Sequence, residues 1–458
     1  MEESMNVPKA DAVNRTALIG LHDGTHPTFE AVLAAHAATG IAIVTDPQIC
    51  ERITGQAALC TAIATAVRAF GNVVVVADGR GAMATGPHRS HTVADVVGAE
   101  GACLASDLSA VPKHWPVLLI CATEYPRDLA GRAVTLQVDW SGWIARVYPG
   151  TRLEPVSSDS PENLLAAITA AALGVHEAFG AVQARPGSDA GRRSLNLNLW
   201  RPGTESSDGP PFTFAPASWW LVGLGHLGQA NAWVLSWLPY ADPAQISVVL
   251  QDVDKAAEAN HSTGLLTPRL PAPTRKTRLV AETLDRVGFD TSLVERRLDQ
   301  TTRAAEHDTH VALLGVDNLA TRRAISVVGW PLAIDAGLGS GALDFNAIQI
   351  RRFPAARASQ QVAAWAEPQS ENVALPNSGA FEDLKQRDVC GAVELGGTAV
   401  GAAFVGVVAA CLAISEASRE LAGGLGHDVL SLHLGSDDLS SAPSSRFVDV
   451  VPARLSAV

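Results

Sequence analysis

The feature that most constrains this chain is a strand, a glycine-rich turn and a helix in direct succession. SWWLVGL is typical of a buried strand, GLGHLG occupies residues 223–228, and GQANAWVLSWL has the pattern of a buried helix. Gly223 permits a tight turn, Gly225 lets backbone approach a phosphate, and Gly228 lets the helix pack on the strand. The helix N-terminus offers N–H donors to an anion. The unit predicts a nucleotide site, although a ligand-free turn is an alternative, and the motif alone suits NAD or FAD as well as ATP.

The rest of the C-terminal half alternates strands with helices. Strands are predicted at QISVVLQDVD, HVALLGVD, PLAIDAG and FNAIQIRRF. Helices are predicted over residues 274–287, at NLATRRAISVVGW and at AVGAAFVGVVAACLAISEASREL, with an irregular stretch over 364–389. Apolar strands that alternate with helices predict a Rossmann-like α/β fold with a doubly wound, mostly parallel sheet.

The N-terminal half also has an α/β pattern. Its predicted strands are residues 41–46, 72–78, 116–122 and 133–139 and the segment WIARVY, and its predicted helices are 56–70 and 160–179. A segment rich in Pro, Gly and Ser then interrupts the apolar periodicity, which is typical of a domain boundary. We therefore predict an N-terminal domain over 1–185, a linker over 186–216 and a nucleotide-binding domain over 217–458.

Polar residues follow the predicted strands of the C-terminal half, where an open α/β sheet binds its ligand. They are Asp252, Asp254, Asn260, Lys276, Asp317 and Asn318. Two acids, an amide and a lysine near a glycine loop exceed what hydride transfer needs. They suit phosphate chemistry, which uses a carboxylate for Mg²⁺, a cation and an amide for phosphates, and an acid for ribose hydroxyls. Lys276 is one of five lysines, so its position is informative.

These motifs together resemble the ThiF/MoeB family, the bacterial relatives of ubiquitin-activating enzymes. The resemblance covers residues 219–424 and rests on GLGHLG, QDVDKAAEAN, the pair Arg275-Lys276, GVDNLATR and the closing segment from Asp388. It implies an adenylyltransferase that uses ATP and Mg²⁺ to activate the C-terminal carboxylate of a ubiquitin-like carrier protein or a peptide.

The resemblance also assigns roles to individual residues. Asp252 would bind the ribose, Asn260 and Lys276 the phosphates, and Asp317 the Mg²⁺ ion that accompanies ATP. The glycine loop, with His226 and Leu227, would cradle the nucleotide. Asp254 and Asn318 complete the predicted set. Asp254 as a turn cap and Asn318 as a helix start are the structural alternatives.

The sequence departs from the family pattern in three ways. Thr263 stands where the family has an arginine, so Arg269, Arg275 or a partner subunit would have to replace that group. His226 replaces a loop glycine, and we expect it to be solvated or packed rather than catalytic. Many members bind zinc through CxxC pairs, and here the six cysteines form none, so no zinc is expected.

Cys390 is the candidate nucleophile for a thioester step. It lies at the end of the predicted irregular stretch, where a helix N-terminus would favour the thiolate. The alternative is a small residue that packs at the start of the last segment.

The N-terminal half carries a weaker echo of the same pattern. The helix and strand in QAALCTAIATAVRAFGNVVVVAD parallel those after the glycine loop, and NLLAAITAAALGVHEAF parallels GVVAACLAISEASREL. No glycine loop or polar set accompanies them. We hypothesise that this half is a degenerate, inactive copy, which would make the chain an intrachain pseudodimer. An unrelated α/β domain, and a homodimer of the whole chain, are the alternatives.

Composition narrows the function classes. The net charge is −13, from 34 basic and 47 acidic residues, with no basic cluster, so nucleic acid is not an expected partner. We expect no membrane span and no signal peptide, and therefore a cytoplasmic protein. The excess of Arg over Lys suggests a bacterial source. Two rival functions stay open, an NAD(P)-dependent oxidoreductase and a non-catalytic nucleotide- or peptide-binding scaffold.

Overall fold

The computed structural model describes residues 13–120, 127–150, 162–204, 209–269, 272–366, 375–436, 438–444 and 453–458. The N-terminal half contains one seven-stranded sheet, ordered β3-β2-β1-β4-β5-β6-β7. The strands are β1 Gly40–Thr45, β2 Asn72–Val76, β3 Cys103–Ala105, β4 Val117–Ile120, β5 Thr135–Ser141, β6 Ile144–Pro149 and β7 Leu195–Asn198. The first five are parallel, and β6 and β7 are antiparallel.

Five α-helices accompany this sheet in the described residues. They are α1 Leu18–His22, α2 Phe29–Ala38, α3 Ile53–Ala69, α4 Val93–Glu100 and α5 Leu164–Gln183. By length and composition alone, α5 is apolar enough to cross a membrane. However, 83% of its most apolar window is buried inside the protein, as in a core helix.

The C-terminal half contains an eight-stranded sheet, ordered β11-β10-β9-β12-β13-β14-β15-β16. Its strands are β9 Ser218–Val222, β10 Ser247–Gln251, β11 Asp290–Val294, β12 Val311–Leu314, β13 Leu332–Leu338, β14 Ala347–Phe353, β15 His427–His433 and β16 Leu439–Pro443. The first five in spatial order are parallel and the last three antiparallel. A separate ribbon pairs β8 Phe214–Pro216 with β17 Leu455–Ala457.

The helices of this half are α6 His226–Trp237, α7 Lys276–Val287, α8 Leu319–Val328, α9 Gly379–Arg387, α10 Val389–Gly396 and α11 Ala403–Leu421. Strand β9 leads through the glycine turn into α6, as the sequence predicts. The mostly parallel sheets with their helices confirm the predicted Rossmann-like α/β fold.

The two sheets share one strand order. β3-β2-β1-β4-β5-β6-β7 corresponds to β11-β10-β9-β12-β13-β14-β15, and a long buried helix, α5 or α11, joins the last two strands of each set. Each helix carries a buried glutamate that accepts a backbone N–H at or shortly before the start of the last strand, β7 or β15. Glu177 accepts the Gly191 N–H at 2.9 Å, and Glu416 accepts the His427 N–H. This correspondence supports the degenerate-copy hypothesis, which stays a prediction.

The halves meet through helices rather than through their sheets. Helices α3 and α5 of the first half pack against α6 and α11 of the second, and one hydrophobic core runs through both halves. Trp233 of α6 donates its indole N–H to Thr61 of α3 at 3.0 Å. The interface is therefore packed like a domain core.

Several element predictions differ from the structure. Strand β7 lies inside the segment predicted as a linker, where it pairs with β6. Strand β11 was not predicted, because three of its five residues are polar. Helix α9 lies in the stretch predicted as irregular, and Ser378 caps its N-terminus. The last long helix begins at Ala403, whereas the predicted segment begins at Ala399.

Two predicted positions lie outside the described residues. They are Ser160, the predicted start of a helix, and Cys121, in the predicted strand over 116–122.

Candidate functional site

A cavity of about 590 Å³ opens at the carboxyl ends of β9, β10 and β12. Chain reversals at these strand ends bring several distant segments to one edge of the sheet, as expected for a parallel α/β sheet. The lining residues are Val222, Gly223, Gly225, His226, Leu227, Gln251, Asp252, Val253, Asp254, Lys276, Arg296, Arg297, Leu298, Gly315, Val316, Asp317, Asn318, Thr321, Arg322, Leu338, Gly339, Ser340, Ala399 and Val400.

The glycine loop has the geometry that a close approach to a ligand requires. Gly223 adopts a φ of +78°, where a side chain would be strained. A Cβ on Gly228 would lie 1.9 Å from the Gly223 carbonyl oxygen, so this position allows the helix to pack on the turn. A Cβ on Gly225 would meet no protein atom within 4 Å, although Gly225 lines the cavity. The open side of Gly225 is thus available to a ligand.

Asp252 is fixed against this loop by two backbone hydrogen bonds. Its Oδ2 accepts the Leu224 N–H at 2.6 Å, and its Oδ1 accepts the Asp254 N–H at 2.7 Å. Because Asp252 directly follows β10 and lines the cavity, these bonds hold its carboxylate at the cavity edge beside the glycine loop.

Lys276 is the first residue of α7 and lines the same cavity. Its side chain is 11% exposed, and Nζ lies 3.1 Å from Asp254 Oδ2, whose side chain is 60% exposed. The Lys276 N–H also donates to the Asp254 carbonyl at 3.0 Å. Asp254 therefore positions both the backbone and the charge of Lys276.

Asp317 and Asn318 follow β12 and line the cavity. Asn318 caps α8, and its Oδ1 accepts the Thr321 N–H at 3.0 Å. In the described residues, no group of three or more His, Cys, Asp or Glu side chains lies close enough to hold a metal ion. A Mg²⁺ ion at Asp317 would therefore take most of its oxygen ligands from a bound triphosphate and water.

Three predicted residues do not line the described part of the cavity. Gly228 packs under the loop. Asn260 lies in a 3₁₀ turn, where its Oδ1 accepts the Ala257 N–H at 2.9 Å, so that the amide Nδ2 is oriented away from that turn. Cys390 is exposed near the start of α10, and Asp388 caps that helix through the Gly391 N–H at 3.0 Å.

His226 is packed against α11, as expected from its sequence context. A Cβ on Gly406 of α11 would lie 2.5 Å from His226 Nε2, so the contact requires that glycine. Burial lowers the pKa of His226 to about 4, against a smaller opposite effect of a backbone hydrogen bond with Ala402. The imidazole is therefore neutral at pH 7 and forms part of the cavity wall.

The arginines that line the cavity do not include Arg269 or Arg275, the two that the sequence offered in place of the arginine missing at Thr263. Thr263 packs with its methyl group against Gly401. Arg275 donates to the Val253 carbonyl at 2.6 Å and pairs with Glu295, and Arg269 is exposed near Gly101. Neither arginine lines the described cavity.

Arg296, Arg297 and Arg322 do line it. The first two follow β11, and recognition of that strand would have placed them at the site. Arg15 of the N-terminal half donates to the carbonyl of Ala399, a lining residue, at 3.4 Å.

Arg322 lies over a buried acid. Its Nε is 3.4 Å from Asp335 Oδ1, and its Nη2 donates to the Ala336 carbonyl at 3.3 Å. Burial raises the pKa of Asp335 to about 7, although the charges of Arg322 and Arg351 oppose this shift. The charge beside the cavity therefore changes near neutral pH.

Comparison with known proteins covers both halves. Residues 40–199 match the BilD N-terminal domain family, and residues 215–424 match the BilD C-terminal domain family. The bacterial E1-like protein BilD of Collimonas sp. (strain OK412) is 38% identical over 325 residues, which is 68% of each chain.

Solved structures of E. coli MccB are less similar in sequence to this chain than the Collimonas protein is. The crystal structure of MccB with AMPCPP and MccA has 12% sequence identity and a TM-score of 0.33, and the match covers 50% of this chain and 64% of that chain. A second crystal structure of E. coli MccB has 11% sequence identity and the same TM-score, and the match covers 50% of this chain and 62% of that chain.

The predicted resemblance is confirmed at the level of an E1-like protein, although these comparisons do not name ThiF or MoeB. Matches to both domain families and to a relative that is 38% identical agree along most of the chain. The chain belongs to the BilD family of bacterial E1-like proteins.

Proposed function

We propose that this protein uses ATP to adenylate the C-terminal carboxylate of a ubiquitin-like protein or a peptide. The observation that carries the proposal is the convergence of Asp252, Lys276 and Asp317 on the glycine loop in one cavity. An oxidoreductase would need the loop and Asp252 but has no use for a cation and a second carboxylate at the phosphate end.

The proposed reaction is a displacement at phosphorus. A carboxylate oxygen of the substrate attacks the α-phosphorus of ATP, and the bond to the bridging oxygen of the β-phosphate breaks, which releases pyrophosphate. Asp252 orients the ribose, while Lys276 and the N–H groups at the start of α6 stabilise negative charge on the phosphates. A Mg²⁺ ion at Asp317 would neutralise further charge on the bound triphosphate.

The substrate class follows from the E1-like family and stays part of the proposal. The C-terminal tail of such a substrate would enter the cavity beside the segment of Leu338, Gly339 and Ser340, which lines it. In a second step, the Cys390 sulfur would attack the acyl carbon of the adenylate, which forms a thioester and releases AMP. The exposed position of Cys390 on α10 permits a protein substrate to reach it.

ATP–pyrophosphate exchange with the full chain and a small carrier protein that ends in Gly-Gly tests the proposal. We expect exchange in the unaltered protein, its loss in Asp317→Ala, and its retention in Cys390→Ala, since Cys390 acts after adenylation. Asp290→Ala is the control, because Asp290 is exposed at the opposite end of β11.

The two rival functions give different results in the same experiment. Nucleotide binding without exchange with any carrier or peptide would favour a scaffold. Tight NAD(P) binding with no ATP binding would favour an oxidoreductase. Either outcome would overturn the proposed adenylation.

A further inference from the structure

Arg68 connects the N-terminal half to the loop that follows Asn260. It lies in the last turn of α3 and is 2% exposed. Its Nε donates to the Gly264 carbonyl at 3.2 Å, and its Nη2 donates to the carbonyls of Leu265 at 2.8 Å and Thr267 at 3.4 Å. One side chain from the first half thus binds three backbone carbonyls of the second.

The remaining donors of Arg68 stay within its own half. Nη1 donates to the Ala64 carbonyl at 2.7 Å and to Glu100 Oε2 of α4 at 2.8 Å. The five donors of the planar guanidinium therefore all have acceptors, and Glu100 balances the buried charge. This arrangement fixes the direction of the group, because moving it would leave buried donors without partners.

Gln229 holds the same loop from the other side. This residue of α6 is fully buried, and its Oε1 accepts the Leu266 N–H and the Thr267 hydroxyl, both at 3.0 Å. Its Nε2 donates to the Leu224 carbonyl of the glycine loop at 3.2 Å. The loop over residues 264–267 is thus held between Arg68 and the glycine loop.

The held loop is continuous with Asn260. The Gly264 N–H donates to the Asn260 carbonyl at 2.6 Å. Gly264 lies so close to Gln229 that a Cβ would be 2.6 Å from Oε1. A shift of the loop would therefore move Asn260 relative to the glycine turn.

We propose that Arg68 is a positioning residue, through which the N-terminal half holds the 264–267 loop and, by way of Gln229, the glycine loop in place for the phosphates of ATP bound in the other half. This inference rests on the proposed function, in which the glycine loop and the start of α6 contact the phosphates. It gives the N-terminal half, which lacks a glycine loop of its own, a direct part in nucleotide affinity. The effect should be larger for the phosphates than for the ribose, because the Asp252 carboxylate has a second backbone donor, the Asp254 N–H, that lies outside the glycine loop.

The test compares two ligands by isothermal titration calorimetry on the full chain. One is the magnesium complex of α,β-methylene-ATP and the other is adenosine, which lacks phosphates. We expect Arg68→Gln to weaken binding of the ATP analogue about tenfold or more, the scale of one hydrogen bond to a charged group. Binding of adenosine should change by less than about twofold, within the scatter of such measurements.

Arg132→Gln is the matched control. Arg132 also donates to several carbonyls, those of Asp128, Pro112, Leu108 and Val111, but all four lie in the N-terminal half. We expect this variant to bind both ligands like the unaltered protein. Gly264→Ala displaces the same loop from the other side and should repeat the selective loss if Arg68→Gln does not fold.

The possible outcomes distinguish failure of the role of Arg68 from failure of the proposed adenylation. Equal losses for both ligands, or no loss in Arg68→Gln, would overturn the role of Arg68 while the proposed function stands. If Arg68→Gln does not fold, unchanged binding in Gly264→Ala would overturn it in the same way. Failure of the unaltered protein to bind the ATP analogue would overturn the proposed function itself.

Discussion

Lys276 Nζ and Asp254 Oδ2 lie 3.1 Å apart at the edge of the cavity, with the lysine nearly buried and the aspartate largely exposed. An ion pair with one exposed member contributes little to stability, because water screens it. Asp254 therefore orients the charged amine of Lys276, which remains available to an anion that enters the cavity.

Replacement of this lysine should abolish the chemistry with little effect on the fold. We expect Lys276→Met to reduce ATP–pyrophosphate exchange by about 100-fold or more, as for loss of one preorganised donor to a developing charge. Lys385→Met is the control, since Lys385 is about half exposed and pairs with Glu382 on α9. Exchange that survives in Lys276→Met would contradict the role of this residue.

The glycine loop offers a matched pair of substitutions. Gly228→Ala places a Cβ 1.9 Å from the Gly223 carbonyl oxygen, so we expect a lower melting temperature and no nucleotide binding. Gly225→Ala meets no protein atom within 4 Å, so the fold should persist while the methyl group obstructs the ligand. Thermal melting and nucleotide titration of both variants check this. Tight nucleotide binding by Gly225→Ala would show that no ligand approaches there.

Asp252→Asn tests the orientation of the ribose site. Its two carboxylate oxygens accept the N–H groups of Leu224 and Asp254, and an amide can accept only one of them. We expect the affinity for adenosine to fall about tenfold, since a hydrogen bond to a charged acceptor is lost. Titration with adenosine measures this affinity, and Asp290→Asn serves as the control. Unchanged adenosine binding would exclude Asp252 from the ribose site.

Asp335 predicts an unusual pH dependence of stability. Burial raises its pKa to about 7 in the folded protein, above the ordinary value of 3.8 that applies on unfolding. Between these values the folded state binds more protons, so stability should fall as pH rises from about 4 to about 7. The slope is at most about 1.4 kcal/mol per pH unit for one group.

The measurement compares the unaltered protein with Asp335→Asn, which keeps the shape of the protonated acid. Denaturant unfolding at several pH values should show that the free energy of unfolding of the unaltered protein falls relative to that of Asp335→Asn as the pH rises from about 4 to about 7. A relative free energy that is constant with pH over this range, or that rises, would contradict the raised pKa of Asp335. Other titrating groups affect both proteins alike and cancel in the difference.

The sequence predicted the parts of the fold that depend on local pattern. Strand β9, the turn and α6 are contiguous, and apolar periodicity shows them directly. Strand β11 was missed because it is short and its side chains are largely polar and half-exposed or exposed, so that it lacks an apolar core pattern. Arg296 and Arg297, which follow it, were missed for the same reason. Helix α9 was missed because its apolar residues are few and face the N-terminal half.

The sequence by itself determined the nucleotide-type loop and the positions of Asp252, Lys276 and Asp317, since Asp252 and Asp317 come after strands whose ends the pattern reveals and Lys276 lies in a predicted helix. Only the tertiary structure decided which distant groups meet them. Arg68 reaches carbonyls almost two hundred residues away, Arg15 reaches Ala399, and His226 packs on Gly406. Such contacts depend on how α3, α6 and α11 pack, and packing across two halves of a chain leaves no periodic trace in either half.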